Sequence, residues 1–336
     1  MFKKLFSLVL GMMLLASVSQ ALTLTGAGAT FPYPIYSKWI SEYKKATGVE
    51  INYASIGSGG GIKQFTAGVV DFGASDAFML DSELAAVKKE VLHIPTVMGA
   101  VAVVYNLNGI KELKLDPSAL AQIFMGDIKK WNDPKIAEIN PGANLPDENI
   151  LVAHRSDGSG TTSIFTGYLA KVNTKWASGV GGGKAVSWPV GVGGKGNEGV
   201  TGVVKNNKNS IGYVELAYAE QNDLACALIK NKAGVFVSPT VDGVTAAADK
   251  GVSRIPSDFR GDILNMPGKT SYPISGLTWI LVKKDMGNTE KAKALQNFLT
   301  WTMDKGQSYA SALSYAPLPQ SLKAKVQKSI DSMVTK

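Results

Sequence analysis

Three short turns in this chain concentrate small and hydroxylic residues: Ala29-Thr30-Phe31-Pro32, Gly57-Ser58-Gly59-Gly60 and Asp157-Gly158-Ser159-Gly160-Thr161-Thr162. Each stands before a segment whose pattern predicts a helix, and the first turn of a helix exposes unpaired N–H groups and a partial positive charge. Glycine lets the backbone approach an anion closely and Ser or Thr adds a hydroxyl, so each turn is a candidate oxyanion cradle. One such turn alone is ordinarily a helix cap. Three in one chain add weight to the anion reading.

Two charged groups border these turns. Arg155 lies two residues before Asp157 and four before Ser159, where its guanidinium can fork onto two oxyanion oxygens while Asp157 holds it in place. Spacing serves equally well for an ordinary ion pair on a surface loop. Asp76 is harder to fit to an anion site, because a carboxylate repels an oxyanion unless that anion keeps a proton. Inorganic phosphate keeps one near neutral pH and sulfate does not. Without such a context, an aspartate that follows a strand is a helix cap.

The elements that must position these residues alternate. A strand at 22–25, a glycine turn at 26–28, a helix from Pro32 through Trp39 and Tyr43, a stop at Gly48, a strand at 49–56, a helix at 62–67 and a strand at 69–75 predict a parallel sheet with covering helices. The apolar run 97–105 predicts a long buried strand, echoed at 275–282. Between them fall helical units at 117–124 and 133–138, a strand at 150–153, a helix at 161–172 and a glycine-rich stretch, 179–199. Residues 289–336 are expected to be helical, closing on Pro317 and Pro319. A chain that leaves a first lobe near residue 100 and returns near 272 makes two lobes, 22–100 with 272–336 and 101–271, joined by two crossing strands. Ligands of two-lobed α/β proteins bind in the cleft between.

Composition narrows the classes. The 336 residues are 45% hydrophobic and 18% charged, with 36 glycines, which excludes disorder, collagen and a disulfide-dense mini-protein. The formal net charge of +8 favours anionic partners, yet Arg155, Arg254 and Arg260 are its only arginines, unlike a nucleic-acid reader. Cys226 stands alone, so no internal disulfide forms, and with only His93 and His154 no metal cluster is expected. At the N-terminus, Lys3 and Lys4, an apolar run at 5–15 and Ser19-Gln20-Ala21 have the form of a secretory signal peptide over residues 1–21. The run is too short for a membrane span.

Five segments resemble one family in its own order: Thr25-Gly26-Ala27-Gly28-Ala29-Thr30-Phe31-Pro32, Gly57-Ser58-Gly59-Gly60, Asp71-Phe72-Gly73-Ala74-Ser75-Asp76, Arg155-Ser156-Asp157-Gly158-Ser159-Gly160-Thr161 and Ile211-Gly212-Tyr213-Val214-Glu215. Together they are similar to the periplasmic phosphate-binding protein of high-affinity phosphate ABC transporters, across the whole mature chain. The resemblance implies a type II periplasmic binding protein fold: α/β, each lobe a mostly parallel sheet flanked by helices, joined by two hinge strands. It implies phosphate held by Thr30, Phe31, Ser58, Arg155, Ser159, Gly160 and Thr161, with Asp76 accepting the phosphate proton and Asp157 orienting Arg155. It further implies a periplasmic monomer that serves a membrane permease and ATPase complex, with no cofactor, metal or catalytic residue. Lys129-Lys130-Trp131 and Gly193-Gly194-Lys195-Gly196-Asn197 also look like family signatures, with no ligand role assigned.

Two other chemistries compete. Gly191-Val192-Gly193-Gly194-Lys195-Gly196 fits G-x-G-x-x-G between a short strand and a helix, with Glu215 ending the next strand. Pro189 is disfavoured in the strand such a site needs, and export separates the chain from the NAD pool. A nucleotide loop at Gly268-Lys269-Thr270 lacks its upstream glycine, since Ile263 stands there. The stronger rival is a secreted phosphatase using Ser159 as nucleophile, which would need a base or metal ions that two scattered histidines do not supply.

Overall fold

A computed structural model describes residues 22–335; the signal-peptide segment lies outside the described residues. The chain opens with β1 (Thr23–Gly28), α1 (Tyr33–Thr47), β2 (Glu50–Ser55), α2 (Ser58–Thr66) and β3 (Phe72–Ser75). The first helix shows why sequence and structure agree here. Pro34 sits in its first turn, Ile35, Tyr36, Trp39 and Tyr43 form its buried face, and Gly48 ends it at φ 76° with an N–H bonded to Lys44. The second helix starts four residues before the expected 62, so that Ser58 belongs to its first turn.

Next comes β4 (Val91–Asn106), a sixteen-residue strand buried along most of its length. The chain then builds β5 (Leu151–Arg155), α3 (Gly160–Val172), β6 (Val192–Gly194), α4 (Gly196–Asn206) and β7 (Ser210–Glu215), and returns through β8 (Ser275–Lys283) to α5 (Thr289–Met303) and α6 (Gln320–Asp331). The sheet order is β2-β1-β3-β8-β4-β7-β5-β6, with Ala225–Cys226 also paired to β4. The outer strands run parallel, β1 with β2 and β3, and β5 with β6 and β7. The two crossing strands run antiparallel to their neighbours. One strand serves both halves: β4 pairs with β8 from Val91 to Ala100 and with β7 from Val101 to Asn106.

The register of β4 on β8 slips between Thr278 and Trp279, which face Val97 and Pro95 and leave Thr96 as the extra residue. Proline has no N–H for the ladder and is tolerated in a central strand at such a bulge. The C-terminal segment departs from the single helical run expected. Two 3₁₀ turns, Lys305–Tyr309 and Ser311–Leu313, separate α5 from α6, and Pro319 starts the last helix instead of ending it. Tertiary contacts account for the break: Trp39 Nε1 donates to the Gly306 carbonyl at 2.7 Å, and Met98 and Ala316 exchange two backbone bonds.

The two lobes are in contact across the cleft. Gly59 N–H donates to the Gly158 carbonyl at 2.8 Å, Lys184 pairs with Glu83 at 2.8 Å and Arg260 with Asp81 at 2.6 Å.

Candidate functional site

The predicted site residues sit at the C-terminal ends of parallel strands, where doubly wound sheets place their ligands. Thr30 and Phe31 form the turn between β1 and α1, Ser58 opens α2 after β2, Asp76 follows β3, Arg155 ends β5, Ser159 caps α3, and Gly160 and Thr161 make its first turn. Three helix N-termini thus meet, two from one lobe and one from the other. Gly160 N–H donates to Ser58 Oγ at 3.0 Å across the cleft. Thr30, Ser58, Asp76, Arg155, Ser159 and Thr161 are each at most 3% exposed. Phe31 contributes backbone: its ring is buried edge-on against Tyr315, whose hydroxyl donates to the Phe31 carbonyl at 2.6 Å.

Close approach depends on two glycines. Gly57 has φ 85°, and a Cβ there would stand 2.2 Å from Asp157 Oδ2 of the facing lobe; a Cβ on Gly160 would stand 2.5 Å from Asp76 Oδ2 and 2.6 Å from Ser58 Oγ. A side chain at either position would hold the lobes apart.

Arg155 and Asp157 are a buried fork, not a pair on a surface loop. Nε donates to Oδ1 at 2.7 Å and Nη2 to Oδ2 at 2.6 Å, and the arginine side chain is 1% exposed. Gly196 N–H adds a third bond to Asp157 Oδ1 at 3.0 Å. Burial pushes the Asp157 carboxyl up, but the Arg155 bonds and charge, with the Gly196 N–H, outweigh it and hold the group below the usual carboxylate range. The Arg155 backbone is fixed as well, its N–H on the Tyr213 hydroxyl at 3.2 Å.

Asp76 differs from the simple ionised acceptor. Its Oδ1 accepts from Thr278 Oγ1 at 2.7 Å, while Oδ2 has only Ser58 Oγ at 3.4 Å. Burial pushes its pKa up to about 7, opposed by the Thr278 bond, the Arg155 charge and Ser58. Near neutrality the group therefore exists in both forms, the carboxylate able to accept a ligand proton and the acid able to donate one.

Sequence reasoning missed Thr278, Tyr213 as a support, and Asn197, which is fully buried between Thr30 and Thr161. A signal existed for Thr278, a hydroxyl in the middle of the apolar run of β8. For Asn197 the signature around it was visible and its contacts were not.

Beside Asp76 the cleft widens into a cavity of about 610 Å³, lined by Phe78, Leu80, Ile164, Leu264 and Trp279 among others. The glycine motif at 191–196 does not form a dinucleotide fingerprint: its central residues are β6 itself, so no strand leads into a glycine turn there. Neither histidine serves as a base. His93 Nε2 accepts from Met79 N–H at 3.0 Å, and burial lowers its pKa to about 4; His154 stacks on Trp188 with ring centroids 4.9 Å apart. Among the described residues no group of three or more His, Cys, Asp or Glu is placed to hold a metal, and no helix is long and apolar enough to cross a membrane.

Comparison with known proteins identifies the family. Residues 16–305 match the model of the PBP superfamily domain. The chain is 50% identical over 314 residues to the phosphate-binding protein PstS of Pasteurella multocida, covering 93% of this chain and 91% of that one. It is 48% identical over 303 residues to PstS of Haemophilus influenzae, covering 90% of each. Among solved structures, a high affinity periplasmic phosphate-binding protein bound with phosphate, PfluDING, superposes with a TM-score of 0.72 at 23% identity, over 91% of this chain and 93% of that one. The phosphate-binding protein of Stenotrophomonas maltophilia gives 0.71 at 20% identity, over the same shares. With a family model spanning most of its length and relatives near half identical end to end, this chain belongs to the PBP superfamily and, within it, to the PstS family of phosphate-binding proteins.

Proposed function

We propose that the chain binds one inorganic phosphate between its lobes and delivers it, chemically unchanged, to the membrane permease and ATPase of a phosphate ABC importer. The carrying observation is the meeting of three helix N-termini and one buried guanidinium, from both lobes, around the buried carboxyl of Asp76. Arg155 is neutralised by Asp157, so the cradle attracts the anion through oriented N–H and O–H dipoles, not through net charge. Thr30, Phe31, Ser58, Ser159, Gly160 and Thr161 supply donors, Arg155 supplies the charge-assisted ones, and Asp76 receives the proton that monohydrogen phosphate carries.

Residues 22–100 with 272–336 form one lobe and 101–271 the other, a division supported by the handover of β4 from β8 to β7 between Ala100 and Val101. Closure about this hinge joins donors that neither lobe holds alone, and the closed pair presents the permease with a surface the open pair lacks. Export by the signal peptide to the periplasm, and action as a monomer, complete the reading.

Calorimetric titration of the phosphate-stripped protein tests it. One phosphate per chain, with sulfate and a phosphomonoester much weaker, is expected; absence of phosphate binding overturns the proposal. The family consists of binding proteins, and the chain is not an enzyme; release of phosphate from a chromogenic ester would instead favour the Ser159 hydrolase. Small-angle scattering should show the radius of gyration falling when phosphate is added.

A further inference from the structure

We infer that Asn197 is a positioning residue which aims the hydroxyl protons of Thr30 and Thr161 at the ligand, and that its hold on Thr30 exists only when the lobes are closed; the inference rests on the phosphate reading above.

A hydroxyl has one proton to donate and two lone pairs to accept with. Thr30 Oγ1 accepts from Asn197 twice, from the backbone N–H at 3.1 Å and from Nδ2 at 2.7 Å. Both lone pairs are occupied, so the remaining proton must be donated away from Asn197. Thr161 Oγ1 likewise accepts from Asn197 Nδ2 at 3.1 Å and from Arg155 Nη1 at 3.4 Å. The two protons of one amide nitrogen are divided between two threonines 131 positions apart in the chain. The orientation of that amide is fixed by its other end: Oδ1 accepts the Glu215 N–H at 2.9 Å, and a backbone N–H cannot be met by an NH₂ group.

Asn197 lies in the first turn of α4, on the side of the cleft that carries Thr161, and is 0% exposed. Thr30 belongs to the facing lobe. Parting the lobes breaks both bonds to Thr30 and returns its hydroxyl to free rotation, whereas closing them turns a group that can accept or donate into a fixed donor. The amide has no proton left for the ligand, so Asn197 acts through the threonines. Its neighbour Gly196 holds Asp157, and the signature Gly193-Gly194-Lys195-Gly196-Asn197 thereby gains a purpose: consecutive residues steady the arginine fork and the two hydroxyls.

The experiment is a double-mutant cycle on phosphate affinity and dissociation rate in the full mature chain, using Asn197→Ala, Thr30→Val and the pair. Asn197→Ala alone should raise Kd about thirtyfold, mainly through faster dissociation. In the Thr30→Val background the same change should cost less than about fivefold, because one of the two hydroxyls it aims is gone. Additive losses mean that Asn197 does not act through Thr30 and overturn the inference. Asn197→Asp provides a second arm: the carboxylate keeps the shape but accepts hydroxyl protons, so it should weaken phosphate at least as much as alanine, while affinity equal to the parent's overturns the inference. Thermal midpoints of the phosphate-free variants identify any that are unfolded, and the arm that folds decides. A parent protein that fails to bind phosphate overturns the functional reading instead.

Discussion

The cradle and the cavity beside it share Asp76 and little else. On the cradle side, lobes meet backbone to backbone: the absent Cβ atoms of Gly57 and Gly160 set the approach, and hydroxyls and carboxylates are bonded in a fixed pattern. On the other side of Asp76 the lobes enclose about 610 Å³ with mostly apolar walls, bridged by the Glu83–Lys184 ion pair. On the phosphate reading, specificity resides in the cradle. A polar surface closed at this spacing cannot accommodate a wrong proton or a wrong atom, because each error leaves a buried group unpaired. The apolar side is expected to tolerate error and to contribute closure without discrimination.

Substitutions should separate the two sides by magnitude. Arg155→Ala removes the cationic half of a buried pair and leaves Asp157 uncompensated, so phosphate affinity should fall about a thousandfold, equivalent to roughly 4 kcal/mol. Arg155→Lys should recover only part of it, since an ammonium cannot make the fork. A loss below tenfold in calorimetry for the alanine variant would erase the distinction between cradle and cavity.

The second effect concerns Asp76 and pH. Sulfate brings no proton and needs the acid form of Asp76, which becomes rarer above pH 7 by about tenfold per unit; monohydrogen phosphate brings its own. The preference for phosphate over sulfate should therefore widen as pH rises through about 7. In Asp76→Asn the amide donates at every pH, and the ratio should be smaller and flat. Parallel titrations at pH 6, 7 and 8 check this, and a ratio unmoved by the substitution would shift selectivity elsewhere in the cradle.

The third effect is smaller. Asp76 keeps in the folded protein a proton that the unfolded chain, with an ordinary carboxyl near 3.9, releases. Its contribution to stability is complete below about pH 4 and is lost as pH rises through about 7. Burial also raises Glu215 well above its ordinary value, which acts in the same direction. Scanning calorimetry of phosphate-free protein should show a midpoint several degrees lower at pH 8 than at pH 5, and Asp76→Asn should flatten the difference. Least affected should be Glu83→Gln, which breaks a partly exposed ion pair at the cavity: a change in phosphate affinity below about threefold is expected. A larger loss by titration would give the apolar side a share in discrimination.

Much of the fold is legible in the sequence. The repeated strand, glycine turn and helix marked β1, β2 and β3, while β6 lay hidden in the glycine-rich stretch, and the apolar runs at 97–105 and 275–282 marked the crossing pair, because continuous hydrophobicity has few uses other than a strand buried on both faces. The three turns were legible as helix starts because a helix N-terminus has a local grammar, while the ligand set rested on the family resemblance. Asn197 was not: its partners lie 167 and 36 positions away, and nothing local distinguishes an asparagine that organises two hydroxyls from one that caps a helix. The shift of Asp76 was equally hidden, since it arises from burial that only the assembled lobes provide. The interrupted C-terminus shows the same limit, with Gly306 held by Trp39 from the far end of the chain.

The place of β8 has a consequence for the order in which the chain can acquire its structure. That strand lies between β3 and β4, although some two hundred residues separate it from β3 in the chain. Until residues 275–283 have arrived, β3 is paired on one side only, with β1, the first half of β4 has no strand partner, and both present open edges. The segment that builds β5, β6 and β7 is contiguous and has its own strand partner in the second half of β4. During directional synthesis or translocation the middle of the chain can therefore mature first, while the two ends must wait for each other, and a chain truncated before residue 275 is left with half a sheet unsealed.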